Sequence, residues 1–239
     1  MSQAALDPEL LLRAYAIGVF PMADSRDAAD IFWIEPKTRA VIPLDNFHLS
    51  RSLRKTVRSG AFTVTRDRAF GEVVRQCAAR EATWINAQIE QCYQALHRRG
   101  HAHSIECWQD GELAGGLYGV RLGAAFFGES MFSARTGGSK VALAWLIARL
   151  RVGGFTLFDC QFMTDHLRSL GAVEIAQADY VAILSSAVAG SEGVFSGAGA
   201  GSASAGADFG ALDDLLGAAP AAGAIPPGWV IAQLLGQTS

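Results

Sequence analysis

The chain has 239 residues and a formal net charge of -3, and half of its residues are hydrophobic, which suits one large or two small packed domains and excludes a disordered protein. Its longest charge-free apolar stretch near the middle, Val141 to Ala148, ends at Arg149, far short of the roughly 18 residues a membrane helix requires, and Asp7, Glu9 and Arg13 break the apolar core a signal peptide would need. A cytoplasmic protein with no membrane partner is expected, and the negative sum, taken alone, argues against nucleic acid, whose phosphates are neutralised by Lys and Arg.

Residues 8–18 read as a short helix opened by Asp7, with Pro8 in its first position and Gly18 closing it. A loop rich in aromatics and proline follows, from Val19 to Pro36. Residues 39–43 read as an edge strand, because Pro43 cannot donate to a ladder. A helix over 50–59 carries Arg51, Arg54, Lys55 and Arg58 at i, i+3, i+4 and i+7, hence as a basic stripe on one face. Residues 1–59 are thus a small N-terminal module with a basic helix.

A second domain spans 60–188. A strand over 62–65 and helices over 68–80 and 86–99 precede an antiparallel meander of 104–109, 112–121 and 124–131. Asp110-Gly111 and Leu122-Gly123 signal its turns. An apolar helix over 139–150, a buried strand over 156–161, a helix over 165–170, a short strand over 173–175 and a helix over 179–188 complete it. The fold class is α/β with a mixed, largely antiparallel sheet. From residue 189 the composition turns to Gly, Ala and Ser, with no Lys or Arg after Ser185. Residues 189–239 read as a flexible low-complexity linker, and Trp229 to Leu235 at its end is apolar enough to dock on a surface groove.

The four cysteines are never closer than fifteen residues, so no CxxC pair or zinc knuckle can be written. His97, His101 and His103 are not expected to hold a metal, since strand alternation sends His103 away from the others. Arg135-Thr-Gly-Gly-Ser-Lys140 opens a helix and reads either as a phosphate cradle or as a capped turn. On the strand over 156–161, Asp159 and Gln161 share one face by alternation. Such groups are expensive to bury without partners, so they form either a satisfied core network or a site. If Glu129, after Gly128, faces Gln161, the three make one polar cluster in an apolar groove.

Taken together, these segments resemble the leucyl/phenylalanyl-tRNA-protein transferase family over residues 8–188. The resemblance is carried by Ala14-Tyr15, Gly18-Val-Phe-Pro21, Phe32-Trp33, Glu35-Pro36, Arg39-Ala-Val, Phe47-His-Leu-Ser-Arg-Ser-Leu-Arg-Lys55 and Thr83-Trp-Ile85. It continues through Gly115-Gly-Leu-Tyr-Gly119, Phe127-Gly-Glu-Ser-Met-Phe-Ser133, Ser139-Lys140, Asp159-Cys-Gln161 and Ser169-Leu-Gly171. Met22 and the stretch Phe32 to Pro36 depart from patterns common among relatives.

The resemblance implies a GNAT-like acyltransferase domain. It implies transfer of Leu or Phe, less well Met, from aminoacyl-tRNA to the α-amine of proteins beginning with Arg or Lys, which marks them for the N-degron degradation pathway. No cofactor or metal is implied, because the aminoacyl ester is already activated. By position, Asp159 and Gln161 are the proposed catalytic pair, supported by Glu129. Trp84, Leu117, Phe126, Met131, Leu143, Leu146, Leu150 and Phe158 would form the aminoacyl pocket. Tyr15, Trp84 and Tyr93 would lie near the terminal adenosine, and Arg51, Arg54, Lys55 and Arg58 would grip the tRNA backbone. The alternatives are a GNAT N-acetyltransferase with acetyl-CoA on the Arg135–Lys140 turn, and a noncatalytic RNA-binding module. The small net charge conceals a segregated one: residues 51–99 hold ten Lys or Arg against four Asp or Glu, and residues 185–239 hold four acids and no base.

Overall fold

The computed structural model describes residues 6–189, 206–217 and 227–236. Helix α1 (Pro8–Ala16) begins where the Asp7 carboxylate accepts from the Glu9 N–H, with Pro8 in the first turn where a missing N–H costs nothing. The segment expected as a loop holds a two-stranded antiparallel ribbon, β1 (Phe20–Met22) with β2 (Phe32–Ile34), in which Pro21 faces Trp33. Two strands leave every residue on an edge, so a proline is tolerated there.

The main sheet has seven strands: β3 (Thr38–Val41), β4 (Thr63–Arg66), β5 (Ala102–Gln109), β6 (Glu112–Leu122), β7 (Ala125–Ser133), β8 (Leu157–Asp159) and β9 (Val173–Ala176). Their order is β4-β5-β6-β7-β8-β3-β9. All pairs are antiparallel except β7 with β8. The expected edge strand is therefore an interior one. Pro43 lies two residues beyond the end of β3, so its missing N–H falls outside the ladder, and β3 is hydrogen-bonded on both sides.

The meander matches its local signals. Asp110 and Gly111 both have positive φ, as a two-residue hairpin of the type I′ kind requires. The second turn is one residue later than expected, Gly123-Ala124, because Leu122 pairs with Ala125.

Helices cover both faces. On one side α1, α3 (Phe70–Ala78), α4 (Ala87–Arg98) and α7 (Gln177–Val188) pack on Tyr118, Val120 and Phe127. On the other, α2 (Arg51–Ser59), α5 (Gly138–Val152) and α6 (Asp165–Ser169) pack on Ile105, Leu117 and Phe126. Ser50 and Asn86 cap α2 and α4 through their side chains. Helix α5 carries no narrow apolar stripe: most of its residues are buried, as expected for a helix packed on several sides.

The C-terminal segment contributes more than a linker. Helix α8 (Ala211–Gly217) and helix α9 (Pro227–Leu234) dock on the same face as α5. Phe209 stacks on Phe126 with 5.4 Å between ring centroids, and Ile231, Ala232 and Leu235 are buried. Two arginines of α5 hold these helices. Arg149 donates to the Phe209 carbonyl (2.6 Å) and to the Asp213 carboxylate, and Arg151 donates to the Leu44 and Leu234 carbonyls. Flexibility expected for 190–205 and 218–226 concerns residues outside those described. Among the described residues no helix is long and apolar enough to cross a membrane.

Candidate active site

Strands β7 and β8 run parallel only from Ala125 and Leu157 to Phe127 and Asp159. Beyond that point β8 ends and β7 continues, which opens a cleft between them. A β-bulge marks the same place: Tyr118 pairs with Ser130 and Gly119 with Gly128, so Glu129 has no partner on β6. An extra residue reverses side-chain parity. Phe127 and Phe132, five residues apart, consequently face the same core, which an uninterrupted strand forbids.

The bulge aims Glu129 at a cavity of about 430 Å³, within the range of small-ligand pockets. Its walls are mostly apolar: Phe20, Met22, Trp84, Leu117, Met131, Leu143, Leu146 and Phe158 contribute, with Arg80, Gln161 and His166 as polar members. Behind Glu129, the Tyr15 hydroxyl donates to Oε1 (2.7 Å) and the Tyr93 hydroxyl to Oε2 (2.6 Å), the two hydroxyls lying 2.8 Å apart. Gln161 Nε2 approaches Oε1 at 3.4 Å. Burial pushes the Glu129 carboxyl up to about 7, helped by the nearby charge of Asp159 and opposed by the two tyrosine hydrogen bonds and Arg39.

Asp159 and Gln161 come together by a different route from strand alternation. The strand stops at Asp159, and Gln161 has φ 57°, in the left-handed region. Gln161 N–H donates to Asp159 Oδ1 at 2.8 Å, and its carbonyl accepts from Ala40 N–H at 3.1 Å. These bonds hold a conformation that non-glycine residues rarely adopt. Asp159 itself is fully buried. Arg39 closes on it with Nε at 2.9 Å and a terminal nitrogen at 2.6 Å, and Tyr180 donates at 2.9 Å. The Arg39 guanidinium also lies over the rings of Phe20 and Tyr180 and donates to the Gly18 carbonyl.

Sequence reasoning missed Arg39 and Tyr180, although a lone carboxylate in an apolar strand demands a cation and Arg39 was the charged residue inside the neighbouring strand. Of the expected pocket residues, Trp84, Leu117, Met131, Leu143, Leu146 and Phe158 line the cavity, while Phe126 and Leu150 stand behind it. Phe126 points to the α5 face and packs on Phe155, Phe158 and Phe209. Tyr15 and Tyr93 do not line the cavity. Both are fully buried, and Trp84 stands at the cavity with its ring edge-on to Tyr93.

The other constellations are accounted for locally. His103 does not turn away from His97: its Nδ1 lies 2.8 Å from Asp67 Oδ2, and His97 Nδ1 lies 3.9 Å from Asp67 Oδ1. Among the described residues no three His, Cys, Asp or Glu side chains form a metal set. At the start of α5, Gly138 N–H donates to the Arg135 carbonyl and Ser139 N–H to Ser133 Oγ, while Arg135 pairs with Glu112. Those two donors are thus engaged, one by a carbonyl of the turn and one by the last residue of β7. On α2, Arg51, Arg54 and Lys55 are exposed and make no hydrogen bond or ion pair with any described residue; Arg58 lies over the Trp229 ring.

Comparison with known proteins completes the description. The sequence profile of a family described as leucyl/phenylalanyl-tRNA protein transferase matches residues 41–185, and that of its N-terminal domain matches residues 4–37. A leucyl/phenylalanyl-tRNA–protein transferase of Rhizorhabdus wittichii is 61% identical, covering 98% of this chain and 99% of the relative. One of Zymomonas mobilis is 59% identical over 77% of this chain and 70% of its own length. Among solved structures, FemX is 13% identical with a TM-score of 0.49, covering 70% of this chain and 66% of FemX.

Proposed function

Because the chain belongs to the leucyl/phenylalanyl-tRNA–protein transferase family and is therefore an aminoacyl-transferring enzyme, we propose that the cleft between β7 and β8 takes Leu or Phe, less well Met, from tRNA and joins it to the α-amine of proteins beginning with Arg or Lys. A new N-terminal residue of this kind would direct the product to degradation by the N-degron route. The observation that carries this reading is the position of Glu129 and Gln161 in the wall of a mostly apolar cavity. The cavity suits a large unbranched-at-β side chain, and a polar one would lose its hydrogen bonds to water there.

The reaction forms a bond between the amine nitrogen and the ester carbonyl carbon and breaks the bond from that carbon to the tRNA 3′ oxygen, with the amine proton passing to the departing oxygen. The ester is already activated, so the protein's task is to hold both partners in attack geometry, an effect that reaches about 7–11 kcal/mol in favourable cases. In the proposed mechanism Gln161 orients the amine through its amide, and Glu129, near its midpoint at neutral pH, fixes that amide and shares the proton. Asp159 acts from behind as a positioning residue. It is locked to Arg39 and holds the Gln161 turn rather than touching substrate. Arg51, Arg54 and Lys55 would meet tRNA phosphates. The Arg135–Lys140 turn, with the Gly138 and Ser139 N–H groups already hydrogen-bonded, offers less to the pyrophosphate of acetyl-CoA.

Incubation of the protein with leucyl-tRNA and a peptide beginning with Arg, beside the same peptide acetylated at its N-terminus, tests the reading. Leucine on the free peptide alone is the expected result. Its absence would overturn the proposal, and tRNA binding without transfer would favour an RNA-binding module.

A further inference from the structure

Helix α9 runs antiparallel along α2, the helix that carries the basic stripe. Gly228 sits so close to Val57 that a Cβ there would lie 2.1 Å from the Val57 carbonyl oxygen, and at the other end Gly236 is against the Arg54 guanidinium. The indole of Trp229 covers Arg58, with the guanidinium carbon 3.2 Å from the ring centroid, yet Trp229 remains 46% exposed. Just past the end of α9 lies a second cavity of about 470 Å³, walled by Asn46, His48, Arg54, Gly171, Leu235 and Gly236. Two of its wall residues come from the C-terminal segment.

We propose that α9 is part of the RNA-binding surface, with Trp229 as a stacking platform for an unpaired base beside the phosphate contacts of Arg51, Arg54 and Lys55. This rests on the reading of the enzyme as one that uses aminoacyl-tRNA. Charge distinguishes a binding surface from an internal plug. A segment that occupied the stripe in place of RNA would set carboxylates on the arginines, and Pro227 to Gly236 contains none. In the described part of the C-terminal segment, Asp213 of α8 pairs with Arg149 and Arg66 rather than with the stripe, and Asp208, just before that helix, accepts from Gly210 N–H. The indole brings no counter-charge to Arg58, and exposed aromatic rings beside cations are the combination that single-stranded nucleic acid recognises, bases stacking while the backbone follows the charge.

The test uses the full chain and unmodified leucine-accepting tRNA. Trp229→Ala should weaken tRNA binding at least about fivefold, Trp229→Phe should restore most of it, and KM for the acceptor peptide serves as the internal control. On the wild-type protein, oxidative footprinting read by mass spectrometry should show the indole of Trp229 protected when tRNA is bound. Unchanged or tighter binding by Trp229→Ala, or an unprotected indole in the complex, would overturn the proposal. Wild-type protein that binds no tRNA at all would instead overturn the functional reading on which it rests.

Discussion

Glu129 receives hydrogen bonds from two tyrosines and still titrates about 7, because the loss of water around its carboxylate outweighs those bonds. Between the ordinary carboxylate value of 4.5 and about 7, the folded protein keeps a proton that the unfolded chain has lost. Stability therefore falls as pH rises through that window and stays reduced above it. Glu129→Gln should raise the unfolding free energy on the order of 2 kcal/mol at pH 8 and change it little at pH 4.5, as urea titrations at the two values would register. The same substitution should remove a rising limb near pH 7 from the profile of kcat/KM, leaving the ionisation of the acceptor amine itself near 8. Asp159 behaves differently. Its carboxylate is matched to a guanidinium that is 1% exposed, so Asp159→Ala strands a buried positive charge and should cost about 3–5 kcal/mol in chemical denaturation, in addition to lost turnover. Which residues are polar and awkwardly placed was readable from the sequence, since Asp159, Gln161 and Glu129 stand out in apolar runs. Their partners were not, because Tyr15, Arg39, Tyr93 and Tyr180 are distant in the chain and nothing local links them.

The bulge between Tyr118 and Gly119 is what converts a regular strand into a site. Without it, Glu129 would pair across β6 and the residues after it would exchange faces. Gly119 makes the close approach possible: a Cβ there would stand 2.3 Å from the Phe127 carbonyl oxygen and 2.5 Å from the Phe126 ring. Gly119→Ala should lower unfolding free energy by about 1–3 kcal/mol in urea titration and depress turnover well below the melting transition, because relief of the clash displaces the strand that presents Glu129. Elements set by neighbouring residues were legible: Asp7 caps the helix it was expected to open, the helices expected from Ser50 and Asn86 start there with those residues as caps, and Asp110-Gly111 turns the hairpin. The unforeseen features depend on pairing across the chain. Nothing near Thr38–Val41 says that this strand inserts between β8 and β9, and Pro43 argued for an edge only because the strand was drawn two residues too long.

Charge at the scale of the whole molecule is separated rather than balanced. Arg51, Arg54 and Lys55 of the α2 stripe have no ion-pair partner among the described residues, whereas Asp213 of α8 is paired with arginines and cannot oppose them over more than about a Debye length, roughly 8 Å at physiological salt. The tRNA association constant should therefore fall steeply with salt, and Arg51→Ala or Arg54→Ala should each reduce the slope of its logarithm against that of salt concentration by about 1, equally for tRNAs of different sequence. A loss confined to one tRNA would mean base reading instead. The net charge of -3 concealed this separation, which became visible only when the sum was divided by segment.

Phe209 stacks on Phe126, the same ring that backs Phe158 in the cavity wall. The core behind the pocket is thus finished by a residue that follows the sheet by more than thirty positions in the chain. During synthesis the sheet and α5 emerge from the ribosome first and must wait with that aromatic face bare. The nascent domain passes through a stage in which its secondary structure is assembled and one patch of its interior is open to water, and hence to chaperones or to other nascent chains.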